Sequence, residues 1–243
     1  MSDITDIHCH VLSGVDDGAH DTEQSLEMLR FMRSEGIRNV ILTPHYHAGY
    51  VEPDVDLINA RFRKLCRHKE QDWSLADMRL YLGCEIYYYP SIISWLEEGR
   101  VLSLAGSDYV LLEFGYTMEK RDIYEGITEV VNAGYRPVIA HVERYEKLVG
   151  HVDFVDELIS KGAYIQVNCR ALERGFRIRS FVKKLLREEM VHFLATDAHD
   201  MMGRAPEMSK AVSYVSKHFG EDYCNRIVAD NPVRVINNEY IDP

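Results

Sequence analysis

Apolar, β-branched runs of strand length alternate with helix-period segments along the whole chain. Seven runs read as strands, near residues 4–8, 39–43, 79–84, 108–113, 136–140, 163–168 and 191–196. Amphipathic helices with readable ends lie between them. Asp21-Thr22 precedes Leu26, Leu29 and Met32, and Gly36 closes that helix. Pro90 opens a helix that closes at Gly99. The stretch from Ile123 to Val131 stops at Gly134, and that from Phe154 to Ile159 at Gly162. Two more helices are expected near 204–218 and 221–229. Repeated strand–helix units imply a parallel sheet with right-handed crossovers.

Polar residues decide between an open sheet and a closed barrel. His8 and His10, His45, Glu85, Glu113, His141, Asn168, and Asp197 with His199 each stand at the C-terminal end of a different strand run. The edge strands of an open sheet are too far apart to share one site. A barrel gathers all its C-terminal ends around one mouth, where barrel active sites lie. The expectation is a single domain over residues 1–243, folded as a distorted seven-stranded (β/α) barrel.

Composition narrows the function. The chain has 243 residues, 46% of them hydrophobic, and a net charge of −11 from 39 acidic and 28 basic residues. That balance argues against sequence-independent nucleic-acid binding, which needs basic stripes. It leaves room for an anionic substrate at a metal centre with a few arginines. Five cysteines without a Cys-x-x-Cys fit reduced thiols rather than a disulfide framework. No leader pattern precedes the first strand run and no apolar run is long enough to cross a bilayer. The expectation is a cytoplasmic protein with no membrane insertion; oligomeric state is left open.

The candidate chemistry is metal chemistry. Residues two apart on a strand point to the same side, so His8 and His10 can face one point, as can Asp197 and His199. Imidazole and carboxylate together suit manganese, iron or zinc. Alone, Asp16-Asp17-Gly18 reads as a turn, His141 as a satisfied core histidine, and Glu85 and Glu113 as salt-bridge partners. A carboxylate closing an apolar strand is costly to bury unless paired or ligated, and two successive cases favour ligation. Nine ligand candidates result: His8, His10, Asp17, His45, Glu85, Glu113, His141, Asp197 and His199. Nine exceed one tetrahedral site and suit two or three ions with a bridging carboxylate. Such clusters promote phosphoester hydrolysis. A thiolate phosphatase is excluded, because Cys-x5-Arg is absent: the residues six after the cysteines are Val15, Asp72, Pro90, Gly175 and Asp230.

These motifs resemble the polymerase-and-histidinol-phosphatase (PHP) superfamily. The closer resemblance is to the manganese-dependent protein-tyrosine phosphatases of bacterial capsule and exopolysaccharide operons. It is carried, in order along the chain, by Asp6-Ile7-His8-Cys9-His10, Val15-Asp16-Asp17-Gly18, Thr43-Pro44-His45, Gly83-Cys84-Glu85-Ile86-Tyr87 and Leu112-Glu113-Phe114. It continues through Ile139-Ala140-His141-Val142-Glu143-Arg144-Tyr145, Ala195-Thr196-Asp197-Ala198-His199, Gly203-Arg204-Ala205-Pro206 and Asp230-Asn231-Pro232.

The resemblance implies three divalent ions, with Mn2+ foremost and iron or zinc as alternatives. His8, His10, Asp197 and a bridging Glu85 would surround the first. Glu113 and His141 would complete the second, and Asp17, His45 and His199 would hold the third. Arg144 and Arg204 would bind the substrate phosphate, with a metal-bridging hydroxide as nucleophile and His199 as a proton source. The implied substrate is phosphotyrosine on a bacterial tyrosine kinase. A PHP phosphatase for a small phosphomonoester such as histidinol phosphate is the enzymatic alternative, and a non-catalytic metal-binding scaffold is the third reading. The stretches Met118-Glu119-Lys120-Arg121 and Asn168-Cys169-Arg170 depart from the group's commonest forms and point to substrate selection.

Overall fold

The computed structural model describes residues 3–242. Among the described residues nine strands, all parallel to their neighbours, form the centre: β1 Ile4–Cys9, β2 Ile37–Leu42, β3 His45–Tyr46, β4 Arg79–Leu82, β5 Glu85–Tyr87, β6 Tyr109–Glu113, β7 Arg136–Ile139, β8 Tyr164–Asn168 and β9 Phe193–Ala195. They fall into two sheets, β1-β2-β4 and β3-β5-β6-β7-β8-β9. The expected runs at 39–43 and 79–84 thus end early, and each restarts as a separate short strand. Pro44 interrupts the first, since it has no N–H for a ladder. Gly83 interrupts the second, where a Cβ would meet Leu104 at 3.0 Å. The curl is drawn together by a parallel bridge between Cys9 and Ala198, just beyond β9.

The helices follow from apolar faces and capping signals. The first, α1 (Thr22–Ser34), starts where the Asp21 side chain accepts from the Gln24 N–H. Next come α2 (Val55–Gln71), α3 (Ile92–Glu97), α4 (Lys120–Asn132), α5 (Val152–Ser160), α6 (Phe176–Arg187), α7 (Ser209–Phe219), α8 (Glu221–Asn225) and α9 (Asn231–Ile236). The expected helix at 204–218 starts only at Ser209, because residues 204–208 run as a loop that carries Arg204 to the mouth. The expected helix at 221–229 is shorter, giving way to a π-turn at Arg226–Asp230.

Two layers of side chains fill the centre. Tyr109, Tyr164, Ile7, Ile41, Leu111, Val138, Phe193 and Ala195 belong to one buried cluster. On β6, β8 and β9 the period of two then brings Glu113, Gln166 and Asn168, and Asp197 to the same side, nearer the C-terminal ends. On β1 the alternation is broken deliberately. Asp6 pairs with Val40 and Cys9 with Leu42, so β1 carries one extra residue there. This bulge lets Ile7 join the interior while His8 and His10 still reach the mouth.

At the opposite side of the fold His192 is buried, and its Nδ1 accepts from the Ile165 N–H at 3.0 Å. Burial, with Arg226 nearby, pushes its pKa down to about 4. Its depressed value means that the unfolded state takes up the proton first. The stabilisation is therefore complete above about pH 6.5 and is lost as pH falls towards 4. Urea denaturation of the metal-free protein at pH 7 and pH 5 should show this loss, reaching at most about 3 kcal/mol well below pH 4. His192→Asn should flatten that part of the profile; an unchanged slope would refute the assignment.

Candidate active site

Every strand end with a candidate ligand opens on the same mouth. His8 Nε2 lies 3.3 Å from Glu85 Oε1 and 3.5 Å from Asp197 Oδ1. His10 Nε2 lies 3.3 Å from Glu85 Oε2 and 3.5 Å from the same Asp197 oxygen. His141 Nε2 sits 2.7 Å from Glu85 Oε1 and 3.7 Å from Glu113 Oε1. Asp17 Oδ1 stands 3.4 Å from His45 Nε2 and 3.6 Å from His199 Nε2. All nine candidates therefore fall in four overlapping groups of donor atoms within 4.8 Å of one another. Glu85 and His45 join neighbouring groups, as do His8 and His10.

Local backbone sets these positions. β3 and β5 pair in register through His45 and Glu85, which places the two side by side. His141 and Asp197 both adopt left-handed backbone, at φ 32° and φ 51°. Such conformations are uncommon for residues other than glycine and are held only where surroundings over-determine them. Here each turns a side chain into the mouth at the end of an otherwise regular strand.

A ring of polar groups orients the imidazoles. His10 Nδ1 meets Asp16 Oδ2 at 2.7 Å, and that oxygen also accepts from the His45 N–H. His8 Nδ1 lies 3.1 Å from Gln166 Oε1, which also accepts from the His141 N–H at 2.7 Å. His199 Nδ1 donates to the Asp197 carbonyl at 2.9 Å. Occupying each Nδ1 this way aims Nε2 at the centre, the usual arrangement behind metal-ligating histidines. Asp16 and Gln166 were not among the candidates from sequence. The signal for Gln166 was a lone amide between Ile165 and Val167 on a buried strand. Asp6, by contrast, points away from the centre: its carboxylate accepts from the Thr196 N–H and hydroxyl and ties β1 to the end of β9.

The electrostatics suit a cation-binding site. Burial opposes ionisation of Glu85, yet His8, His45, His10 and His141 hold its carboxyl well below the usual range. Asp197 is likewise held low, against burial, by His8, His10, Arg144 and His141. Burial and the Glu85 charge push Glu113 up to about 7. Burial, with His10 beside it, pushes His199 down to about 3. A neutral imidazole with its Nδ1 donating suits a ligand.

The donor set fits divalent ions on a further ground. Glu85 Oε2, His141 Nδ1, Asp197 Oδ1 and His199 Nε2 are buried without a hydrogen-bond partner. Buried polar atoms are otherwise nearly always satisfied. Three of these four face the shared centre, where ions would supply the missing partners. At the rim, Arg144 Nη2 donates to Asp197 Oδ2, and Arg204 Nη2 donates to Asp17 Oδ2 at 2.9 Å. Both arginines are thus held against candidate ligands.

Comparison with known proteins agrees with this picture. The sequence matches the family described as capsular polysaccharide synthesis, CpsB/CapC, over residues 4–237. It is 28% identical to the tyrosine-protein phosphatase CpsB of Streptococcus agalactiae serotype III (strain NEM316), over 97% of this chain and 99% of that protein. It is 30% identical to the tyrosine-protein phosphatase YwqE of Bacillus subtilis (strain 168), over 97% of this chain and 92% of that protein. The fold superposes with a TM-score of 0.90 and 29% identity on a chain from the crystal structures of YwqE from Bacillus subtilis and CpsB from Streptococcus pneumoniae, described as metal-dependent tyrosine phosphatases. That match covers 98% of this chain and 96% of the other. A phosphotriesterase homology protein from Escherichia coli shares the fold at a TM-score of 0.63 and 11% identity, with 97% of this chain and 99% of that chain covered.

Proposed function

The chain belongs to the CpsB/CapC family of capsular polysaccharide synthesis proteins, and from that premise we propose that it is a metal-dependent tyrosine-protein phosphatase. The observation that carries the reading is the convergence of nine metal-type donors and two arginines on one mouth. The 243 residues act as one PHP-type domain. Its staves are β1, β2 with β3, β4 with β5, β6, β7, β8 and β9, which makes a distorted seven-stave barrel with two broken staves.

His8, His10, Glu85 and Asp197 would hold one ion. Glu113, His141 and Glu85 would hold a second, and Asp17, His45 and His199 a third. We assign manganese, while the same donors accept iron or zinc. When bound, such ions generate a nucleophile from water near neutral pH and offset charge on phosphate oxygens.

The protein's own residues do the rest. Asp16 and Gln166 fix the tautomer and tilt of His10 and His8. Arg144 and Arg204 bind the outer phosphate oxygens, for which a planar guanidinium offers paired donors. No cysteine takes part. Burial raises the Cys9, Cys84 and Cys169 thiols, so they stay protonated and unreactive. Phosphotyrosine on a bacterial tyrosine kinase of capsule or exopolysaccharide synthesis is the substrate we assign, met in the cytoplasm.

Assays of manganese-loaded protein against a phosphotyrosine peptide, an aryl phosphate and histidinol phosphate test the proposal. Turnover of the first two should disappear with chelator and return with added Mn2+. Chelator-resistant turnover, or none with any phosphoester, would overturn it. A strong preference for histidinol phosphate would instead establish the small-substrate alternative.

A further inference from the structure

A cavity of about 310 Å³ opens beside the candidate donor cluster, lined by Arg144, Arg170, Arg174 and Arg204 together with Glu143, Glu173 and Asp197. Arg144 and Arg204 are engaged with Asp197 and Asp17. The outer pair is not so engaged. Arg170 Nη1 donates to the Gly203 carbonyl, and neither Arg170 nor Arg174 makes an ion pair among the described residues. A guanidinium held by a neutral carbonyl keeps its charge available to a ligand.

The arginine-rich segment continues outward. Residues 170–179 hold four arginines (Arg170, Arg174, Arg177 and Arg179) and one acid, Glu173, in a chain of net charge −11. A second hollow of about 350 Å³ adjoins the first through Glu143 and Arg144 and is lined further by Glu146, Phe176 and Arg177. Phe176 is 79% exposed there, at the first turn of α6. An exposed aromatic beside unpaired guanidiniums forms a track leading away from the reaction centre. Its basic end is the Arg170 and Arg174 side, since the outer hollow sets Arg144 and Arg177 against Glu143 and Glu146.

We infer that this track binds the polypeptide flanking the phosphotyrosine, and that Arg170 and Arg174 select an acidic side chain close to it. The inference depends on the phosphatase reading and adds a sequence preference to it. A small phosphomonoester would leave the track empty. An acidic peptide uses it, because carboxylates accept from guanidinium forks in bidentate geometry and Phe176 covers apolar side chains. Complementary charge at such a rim also raises the association rate and weakens with salt. The preference should therefore fall as ionic strength rises.

Two phosphotyrosine peptides of equal length, one with acidic and one with neutral flanking residues, provide the test, with an aryl phosphate as reference. The wild-type enzyme should show kcat/KM roughly tenfold higher for the acidic peptide, carried by KM. In Arg174→Gln and in Arg170→Gln the ratio between the two peptides should shrink towards one, and the double variant should abolish it. The ratio is read within each preparation, so a general loss of active enzyme cancels. Equal kcat/KM for both peptides in wild type, with aryl phosphate turned over, would overturn the inference and leave the phosphatase reading standing. A preference that survives the double variant would also overturn it. No turnover of any of the three substrates would remove the phosphatase reading, and this inference with it.

Discussion

Glu85→Gln should lower kcat on an aryl phosphate by on the order of 10³-fold or more while the fold survives. The Glu85 carboxylate lies at the meeting point of the mouth. Its Oε1 approaches His8 and His141, and its Oε2 approaches His10 and His45. An amide keeps the shape and the packing but replaces one acceptor with a donor and removes the charge. Glu85 belongs to two of the candidate donor groups, so both would lose a carboxylate at once. His141→Ala, which removes a donor from one group only, should be nearly as damaging to activity. Far-ultraviolet circular dichroism separates loss of chemistry from loss of fold, and metal analysis should show reduced content. A Glu85→Gln enzyme within tenfold of wild type would mean that the donors have been assigned wrongly.

Gly18→Ala should be the most disruptive change of a residue that contributes no side chain. An added Cβ would fall inside contact distance of the His10 carbonyl oxygen and 2.6 Å from the His10 Cβ. That carbonyl already accepts from the Ala19 N–H at 3.0 Å, and the Gly18 N–H donates to Asp16 Oδ1 at 3.0 Å. Neither backbone nor Cβ can rotate aside as a flexible side-chain tip would. The loop carrying Asp16 and Asp17 must lift, which frees His10 from its orienting carboxylate. Destabilisation of about 3 kcal/mol in urea denaturation is expected, with activity down about 100-fold. Gly175→Ala, with nothing within 4 Å of the new Cβ, is the matching control and should leave stability nearly unchanged. Full stability in Gly18→Ala would show that the loop is looser than the close approach implies.

The convergence of the candidate donors was legible because they sit where a strand's periodicity ends in a residue it cannot otherwise explain. His8 and His10 share a spacing, and Glu85, Glu113 and His141 each stop an apolar run. What stayed hidden depends on distant parts of the chain. The break before β5 falls at Gly83, where an added Cβ would meet Leu104 at 3.0 Å, a proximity no local pattern contains. The β1 bulge exists only in register against β2. Gln166 reads locally as an ordinary strand residue, because its role depends on His8 and the His141 backbone meeting at its amide oxygen. Arg204 was read at a helix start, whereas it lies in a loop that ends before α7.

The bridge between Cys9 and Ala198 has a bearing on how the protein comes into being. Donors in one group come from His8 and His10 near one end of the chain and Asp197 near the other. No partial product of translation can hold that group, since its members meet only after nearly two hundred residues have been made and packed. Pairing so remote in sequence is slow to form, because a long loop must close before any contact compensates. Catalytic competence should thus arise last, after strands and helices are in place. Ion uptake would then act as a clasp fastened on a finished ring. Stopped-flow refolding with and without Mn2+ should leave the early phases unchanged and alter only the final one.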